Sequence, residues 1–260
     1  MAKPLALVLT GFGINCDYET EYAFKAAGGD ARRVHVNDLI ETPALLQSYQ
    51  IVAVPGGFSF GDNIASGIVL ANKLKYRLGE AFLSFIESDR LLIGICNGFQ
   101  VLTRMGVLPD GPQAEAGRRV SLTCNDSGKF EDRWVDLEVV KGSRCVFTRG
   151  LESLELPVRH GEGKFVTPGD GLAGELYSSG QVVMRYCAPD GGRPVPYPLN
   201  PNGSELDIAG ICDPTGRIFG LMPHPEAFIH RVLHPRWTRE KVPDEGQGLA
   251  IFRNAVSYFS

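Results

Sequence analysis

The stretch LLIGICNGFQ, residues 91–100, decides the fold of this chain. Its first five residues form an apolar run, which is typical of a strand that is buried on both faces of a sheet. A Gly-x-Cys-x-Gly turn around Cys96 follows, and a helical pattern then starts at Gly98. This strand, turn and helix match a nucleophile elbow in which Cys replaces Ser. The elbow would hold the Cys96 sulfur beside a helix N-terminus, which favours the thiolate. A buried structural cysteine at a tight turn is the alternative interpretation.

Strand and helix patterns alternate on the N-terminal side of this elbow. We predict strands at 5–9, 31–36, 51–54 and 91–95, and helices at 17–27, 65–88 and 98–105. Asp17 is expected to cap the first helix, because an Asp side chain can accept hydrogen bonds from free N–H groups there. Such alternation predicts an α/β fold, with a mainly parallel central sheet covered by helices on both faces.

The second half of the chain has shorter apolar stretches, separated by Gly and Pro. Strands are predicted at 134–140, 157–160, 181–186, 207–212 and 217–222, and a closing helix at 248–258. This pattern indicates an antiparallel elaboration of the sheet. Neither a repeat nor a linker is evident, so we expect a single domain over residues 1–260.

Composition excludes several classes of protein. The 260 residues include 26 Lys and Arg against 30 Asp and Glu, a net charge of −4, which argues against a generally basic nucleic-acid binder. No apolar run approaches the roughly 20 residues that span a membrane. The N-terminus is expected to form a strand and not a signal peptide. The six cysteines include no C-x-x-C pair, which suits reduced thiols and a cytoplasmic location.

A possible base for Cys96 lies in MPHPE, residues 222–226, at the end of a predicted strand. His224 and Glu226 are two residues apart, so in extended backbone their side chains point the same way. Glu226 could then orient one ring nitrogen of His224 while the other faces a nucleophile. A solvated surface turn is the alternative for this string taken alone.

A possible oxyanion stabiliser follows the strand at 51–54. The pair Gly56-Gly57 at this strand end could turn backbone N–H groups toward a developing anion. Taken alone, the pair fits a plain strand-to-loop turn better.

Together, GICNGFQ at 94–100 and MPHPE at 222–226 resemble the class I, or triad, glutamine amidotransferases. Other strings narrow the resemblance to the glutaminase subunits of phosphoribosylformylglycinamidine (FGAM) synthases. These strings are GINCD at 13–17, GGFSFGD at 56–62, NDSGKFE at 125–131, HGEGKF at 160–165 and NPNGS at 200–204. The match extends over nearly the whole chain.

The resemblance implies a role for each matching residue. Cys96 would attack the carboxamide of glutamine, and His224, held by Glu226, would transfer the protons. The backbone N–H groups of Gly57 and Asn97 would form the oxyanion hole. The residues expected to bind glutamine are Gln100, His160, Gly161 and Glu162, with the last three acting through backbone groups.

The resemblance also implies partners. The ammonia would be used by a separate large synthetase subunit, together with a small third subunit of the FGAM synthase complex. We expect no cofactor in this chain, since it lacks the G-x-x-x-x-G-K-[ST] phosphate loop. ATP and magnesium would belong to the synthetase. Two departures from the family pattern, NIAS at 63–66 and Ala227, would alter how the glutaminase meets its synthetase.

Two other functions remain open from the sequence. One is a stand-alone Cys-elbow hydrolase of the peptidase or chaperone type, which would need neither Gln100 nor the segment around His160. The other is a catalytically silent amidotransferase-like scaffold. His230 and His234 have a spacing that suits a metal, but no third ligand is evident and Pro235 interrupts the segment. We therefore expect no metal site.

Overall fold

The computed structural model describes residues 3–62, 65–113, 119–169 and 171–260. Its strands in chain order are β1 (Leu5–Thr10), β2 (Asp30–His35), β3 (Ile51–Val54), β4 (Leu91–Ile95), β5 (Ser121–Thr123), β6 (Glu131–Val139), β7 (Ser153–His160), β8 (Lys164–Val166), β9 (Val182–Tyr186), β10 (Ile208–Cys212) and β11 (Ile218–Leu221). Within the described ranges, nine of them form one sheet in the order β2-β1-β3-β4-β11-β10-β9-β6-β7, and β5 pairs with β8 separately.

The sheet has a parallel half and an antiparallel half. Strands β2, β1, β3, β4 and β11 run parallel, whereas β11–β10, β10–β9, β9–β6 and β6–β7 are antiparallel pairs. Every residue of β3 and β4 is buried, as expected for strands with helices on both faces. The predicted α/β class and the antiparallel elaboration are therefore confirmed.

The α-helices are α1 (Asp17–Ala26), α2 (Val36–Glu41), α3 (Ile68–Lys73), α4 (Gly79–Glu87), α5 (Asn97–Met105), α6 (Leu172–Ser178) and α7 (Leu249–Ser257). Short 3-10 turns lie at Pro43–Ser48, Ser59–Asp62, Gly111–Gln113, Val146–Thr148, Glu205–Asp207, Pro225–Ala227 and Arg231–Leu233. No helix among the described residues is long and apolar enough to cross a membrane.

Two helix predictions are wrong in detail. Cys16, and not Asp17, occupies the N-cap position of α1, and no side chain caps that helix end. The Asp17 carboxylate instead lies 3.3 Å from an Arg33 nitrogen. The long helix predicted at 65–88 is broken, because α3 runs into a π-helical turn at Leu74–Leu78. Gly79, with φ of 36° and ψ of −111°, then breaks the helical backbone where α4 begins.

Candidate active site

The nucleophile elbow forms as predicted where β4 meets α5. Cys96 has φ of 51° and ψ of −105°, a strained conformation for a residue with a side chain. A Cβ on Gly94 would stand 2.6 Å from the Gly98 carbonyl oxygen, and one on Gly98 would stand 1.8 Å from that of Val54. Helix α5 therefore approaches the sheet closely only because both positions are glycine.

The register of two neighbouring strands brings Cys96 and His224 together. Ile95 at the end of β4 pairs with Leu221 at the end of β11, and the Cys96 N–H donates to the Leu221 carbonyl over 2.8 Å. Because the strands are parallel, both chains leave the sheet at the same edge. His224, three residues beyond β11, is fixed there by its N–H, which donates to the Pro157 carbonyl over 2.8 Å.

His224 and Glu226 form a buried pair. Nδ1 of His224 lies 2.6 Å from Oε1 of Glu226, and each residue is 2% exposed. With Nδ1 engaged by the carboxylate, Nε2 is left for the nucleophile. Among the described residues, neither Nε2 of His224 nor Oε2 of Glu226 has a hydrogen-bond partner. The Cys96 sulfur is 3.6 Å from the Arg159 carbonyl oxygen, to which its thiol donates.

Electrostatics favour a charged imidazole. Burial opposes the charged ring, but the adjacent Glu226 carboxylate and the Cys96 sulfur outweigh this, so the pKa of His224 lies well above its ordinary value. An imidazole that readily holds a proton favours proton transfer from the neighbouring thiol. The arrangement can therefore generate a thiolate beside an imidazolium.

The N–H of Gly57 faces away from its neighbouring strand segment. Ile14 and Gly57 form an isolated antiparallel bridge, flanked by a bond from the Phe58 N–H to the Gly13 carbonyl over 2.7 Å and one from the Asn15 N–H to the Gly56 carbonyl over 3.3 Å. In an antiparallel pair with these flanking bonds, the N–H and C=O of Gly57 itself point away from Ile14. A Cβ on Gly57 would stand 2.5 Å from the Gly13 carbonyl, and its φ of 142° also favours glycine.

The Asn97 side chain ties the loop after β3 to Gln100, one of the residues predicted to bind glutamine. Its Oδ1 accepts the Ser59 N–H over 3.3 Å, and its Nδ2 donates to Asp62 over 3.2 Å and to Gln100 Oε1 over 2.9 Å. The Gln100 Nε2 in turn donates to the Glu162 carbonyl over 2.6 Å. The amide of Gln100 is thus engaged at both ends, and we predict that it positions glutamine through the Glu162 backbone as well as directly.

The His160 ring lies beneath the loop that carries Gly161 and Glu162. Nδ1 of His160 is 3.1 Å from Asn125 Oδ1, and Nε2 is 3.5 Å from Asn202 Nδ2. Asn125 also accepts the Gly163 N–H over 3.0 Å and donates to the His160 carbonyl over 2.8 Å. Burial, and secondly the nearby His224, lower the pKa of His160 to about 3, so the ring is neutral. Its ring therefore supports the loop, which fits a backbone role for this segment.

A cavity of about 190 Å³ opens in front of Cys96. It is lined by Gly57, Phe58, Asp62, Ser66, Cys96, Gln100, Phe130, Arg159, His160, Gly161 and Glu162. Phe58 and Phe130 stack at its mouth, with ring centroids 6.2 Å apart. The residues predicted to bind glutamine, together with Gly57 of the predicted oxyanion hole, thus line the same cavity as Cys96. Asn97, whose N–H is the second predicted oxyanion donor, is the first residue of α5.

Several neighbours of the site were not predicted from the sequence. Cys16 lies with its sulfur 3.9 Å from Nδ1 of His224. Asp62, Asn125 and Asn202 bond to predicted site residues. In the sequence, these four residues are marked only by their positions within the strings that resemble the FGAM synthase glutaminases. Of the departure at 63–66, Asn63 and Ile64 lie outside the described residues.

The pair His230 and His234 does not converge. Nε2 of His234 is 3.1 Å from a Glu155 carboxylate oxygen and the ring is buried, whereas Nε2 of His230 is 3.1 Å from the Tyr22 hydroxyl. Each ring is therefore held by a different part of the fold.

Known proteins resemble this chain over its whole length. The model of the CobB/CobQ-like glutamine amidotransferase domain matches residues 3–259. A relative from Dehalococcoides mccartyi, named phosphoribosylformylglycinamidine synthase subunit PurQ, is 49% identical over 99% of this chain and 98% of its own. A protein of the same name from Archaeoglobus fulgidus is 39% identical over 96% of this chain and 95% of its own.

A solved structure supports the same relationship. A chain in the structure of PurLQS from Thermotoga maritima has a TM-score of 0.73 and 31% identity, and the match covers 99% of this chain and all of that one. Family model, relatives and structure agree with the resemblance found in the sequence, and the chain belongs to the CobB/CobQ-like glutamine amidotransferase family.

Proposed function

We propose that this chain is the glutaminase subunit of an FGAM synthase. The observation that carries the proposal is the buried His224–Glu226 pair, with Nδ1 and Oε1 2.6 Å apart, beside a cysteine on a nucleophile elbow. The full-length similarity to proteins named PurQ supports the choice of this enzyme.

The reaction would proceed through a thioester. His224 takes the proton of the Cys96 thiol, and the sulfur attacks the carboxamide carbon of glutamine. The N–H groups of Gly57 and Asn97 stabilise the oxyanion of the tetrahedral intermediate. When this collapses, the carbon–nitrogen bond breaks and His224 returns the proton to the leaving ammonia. Water then attacks the thioester, which releases glutamate and regenerates the Cys96 thiol.

The ammonia would pass to a separate synthetase. In this proposal, the synthetase uses ATP and magnesium to activate the formyl amide oxygen of formylglycinamide ribonucleotide, and ammonia converts it to the amidine. A small third subunit would complete the assembly. The name PurLQS of the similar Thermotoga maritima structure fits an assembly of this kind.

Substitution of the nucleophile tests the proposal. Cys96→Ala should fold and lose glutamine-dependent synthesis in the presence of the synthetase. Synthesis with added ammonium should persist, because that chemistry lies on another chain. His224→Ala should lose roughly 10²- to 10⁴-fold, as is usual for a general acid–base, and Glu226→Ala should lose less.

A cysteine outside the site provides the control. Cys187 is likewise a free thiol, but unlike Cys96 it is partly exposed; it lies directly after β9, and its N–H donates to the Asp136 carbonyl. Cys187→Ala should retain both glutamine-dependent and ammonium-dependent synthesis. Near-normal glutamine-dependent turnover by Cys96→Ala would show that the nucleophile is another residue.

A further inference from the structure

Hydrogen bonds of the Cys16 backbone hold this residue beside His224, the proposed catalytic base. The Cys16 N–H donates to the Gly56 carbonyl over 3.3 Å, and its own carbonyl accepts from the Thr20 N–H over 3.1 Å and the Thr20 hydroxyl over 2.6 Å. The sulfur is thereby held 3.9 Å from Nδ1 of His224. Cys16 as a whole residue is partly exposed.

The surroundings of this sulfur contain further donor atoms and space. Cys16 Sγ, a ring nitrogen of His224 and a carboxylate oxygen of Glu226 all lie within 4.8 Å of one another. Oε2 of Glu226 is buried and has no partner among the described residues. A Cβ on Gly56 would stand 2.7 Å from Cε1 of His224 and 3.3 Å from the Cys16 sulfur, so only glycine leaves this side of the ring open.

From this geometry we propose that Cys16, His224 Nδ1 and Glu226 form a binding site for a thiophilic divalent cation, with Zn²⁺ as the best fit. Thiolate, imidazole and carboxylate are the three ligand types of protein-bound zinc. Metal–ligand bonds of about 2.0–2.3 Å place ligand atoms roughly 3–4 Å apart, close to the observed Sγ–Nδ1 distance. Mg²⁺ and Ca²⁺ are disfavoured because they select oxygen ligands.

Binding requires only local changes. The Cys16 thiol and Nδ1 of the charged His224 ring each release a proton to solvent, which leaves a single histidine proton on Nε2. The Nδ1–Oε1 contact of 2.6 Å is too short for two ligands of one ion, so the Glu226 carboxylate must turn and offer its unpartnered oxygen. The thiolate and the carboxylate then balance the two charges of the cation.

The site would act as a switch, a consequence that rests on the proposed glutaminase function. A cation on Nδ1 fixes the histidine proton on Nε2, so Nε2 becomes a donor and can no longer accept the proton of Cys96. The ion also removes Glu226 from its orienting bond. Glutamine hydrolysis would therefore stop without modification of Cys96, and a chelator would restore it.

Titration of the full chain with Co²⁺ and Zn²⁺ alone tests the site. The Cys96→Ala variant should keep the thiolate-to-cobalt charge-transfer absorption of the wild type, because the Cys96 sulfur is not a ligand of the proposed site. Cys16→Ser should lose that absorption and bind Zn²⁺ at least about 10-fold more weakly, since even an outer-shell change costs this much. Cys187→Ser, the matched control, should behave like the wild type.

Inhibition provides the second measurement. Zn²⁺ should inhibit glutamine hydrolysis by the wild type, and Cys16→Ser should need at least about 10-fold more Zn²⁺ for the same fractional inhibition of its own metal-free rate. Unchanged cobalt absorption in Cys16→Ser, or its loss in Cys96→Ala, would overturn the proposal by placing the ion elsewhere. The cobalt titration is independent of turnover, so it decides this site even if the chain does not hydrolyse glutamine.

Discussion

The His160 ring is a neutral histidine enclosed by two asparagines. It is 3% exposed, and its pKa is lowered to about 3 against an ordinary value of 6.5, chiefly by burial. Since Asn125 and Asn202 contact its two nitrogens, protonation would break at least one of these contacts. The ring therefore makes the folded state sensitive to acid.

We predict that the free energy of unfolding falls as the pH drops below about 6.5. The unfolded chain then binds a proton at His160 that the folded chain does not bind, which favours unfolding until the pH approaches 3. Between pH 7 and pH 5 this residue alone should cost on the order of 2 kcal/mol. Denaturant unfolding at several pH values measures the loss.

The variant His160→Gln separates this residue from other groups that titrate with acid. It should be less stable than the wild type at neutral pH, because it loses ring packing against Gly163, whose Cβ would stand 2.3 Å from the ring. Its stability should fall less steeply between pH 7 and pH 5. Parallel pH profiles for the two proteins would show that His160 is not the source.

The helix α5 approaches the sheet so closely that no Cβ fits at its second residue. On Gly98, a Cβ would stand 1.8 Å from the Val54 carbonyl oxygen, which is backbone of a central strand and cannot turn away. The strained Cys96 backbone leads directly into this contact, since α5 begins at the next residue. Elbow geometry and helix packing are thus one structural feature.

Gly98→Ala should therefore destabilise the protein by about 3 kcal/mol or more, at the upper end of overpacking costs. It should also lower glutamine hydrolysis, because Cys96 and the Asn97 N–H move with the helix. The equilibrium free energy of unfolding and the turnover rate measure the two effects.

The chain offers a matched control in another helix. Gly174 lies in α6, and a Cβ there would have nothing within 4 Å. Gly174→Ala should leave the protein unchanged or stabilise it by up to about 1 kcal/mol, because Ala is the better helix former. If Gly98→Ala were equally benign, the close packing of α5 would not be required.

The sheet order gathers the site from both halves of the chain. Strands β3, β4 and β11 are neighbours, so the loop after β3, the elbow after β4 and the histidine after β11 meet at one edge. The loop after β3 contains Phe60 and Asp62 at positive φ values of 55° and 49°, unusual for residues with side chains. It is joined to the elbow through Asn97.

We therefore expect the synthetase to act on glutamine hydrolysis through this loop. The chain alone should have a low kcat/KM, and the complex with bound synthetase substrate should be faster by about 5- to 150-fold, the usual range of allosteric coupling. Asp62→Ala should reduce this activation more than it reduces alkylation of Cys96 by iodoacetamide. Rates for the isolated chain and for the complex measure the coupling.

Equal kcat/KM values in both states would show that the site is already assembled without the partner. Equal losses of activation and of thiol reactivity in Asp62→Ala would instead indicate general damage to the elbow. The segment 63–66 departs from the family pattern, and the effect of this departure is best tested at Ala65 and Ser66, which lie among the described residues. Arg104 donates to the Ser66 carbonyl over 2.6 Å, which ties this end of the loop to α5.

Local patterns in the sequence were sufficient for the elbow and the catalytic candidates. The strands at 51–54 and 91–95 were predicted with their observed bounds, because continuous apolar runs bounded by turns are local signals. Residues Cys96, His224 and Glu226 were found because each lies in a short string whose chemistry can be interpreted without the fold. Short or polar elements such as α2 and β8 gave no comparable signal.

Contacts between distant segments required the folded sheet. Cys16 and His224 are 208 residues apart in sequence, and His160 lies 42 residues from Asn202. Hydrophobic periodicity tells which residues face the core, but it contains no information on which strands become neighbours. The break in the helix predicted at 65–88 also could not be predicted from the sequence. There, α3 and α4 pack against different parts of the fold, and this tertiary packing overrides the continuous helical pattern. The amino-acid order therefore specifies the proposed nucleophile and its proposed base, whereas strand order and register place Cys16 beside that histidine.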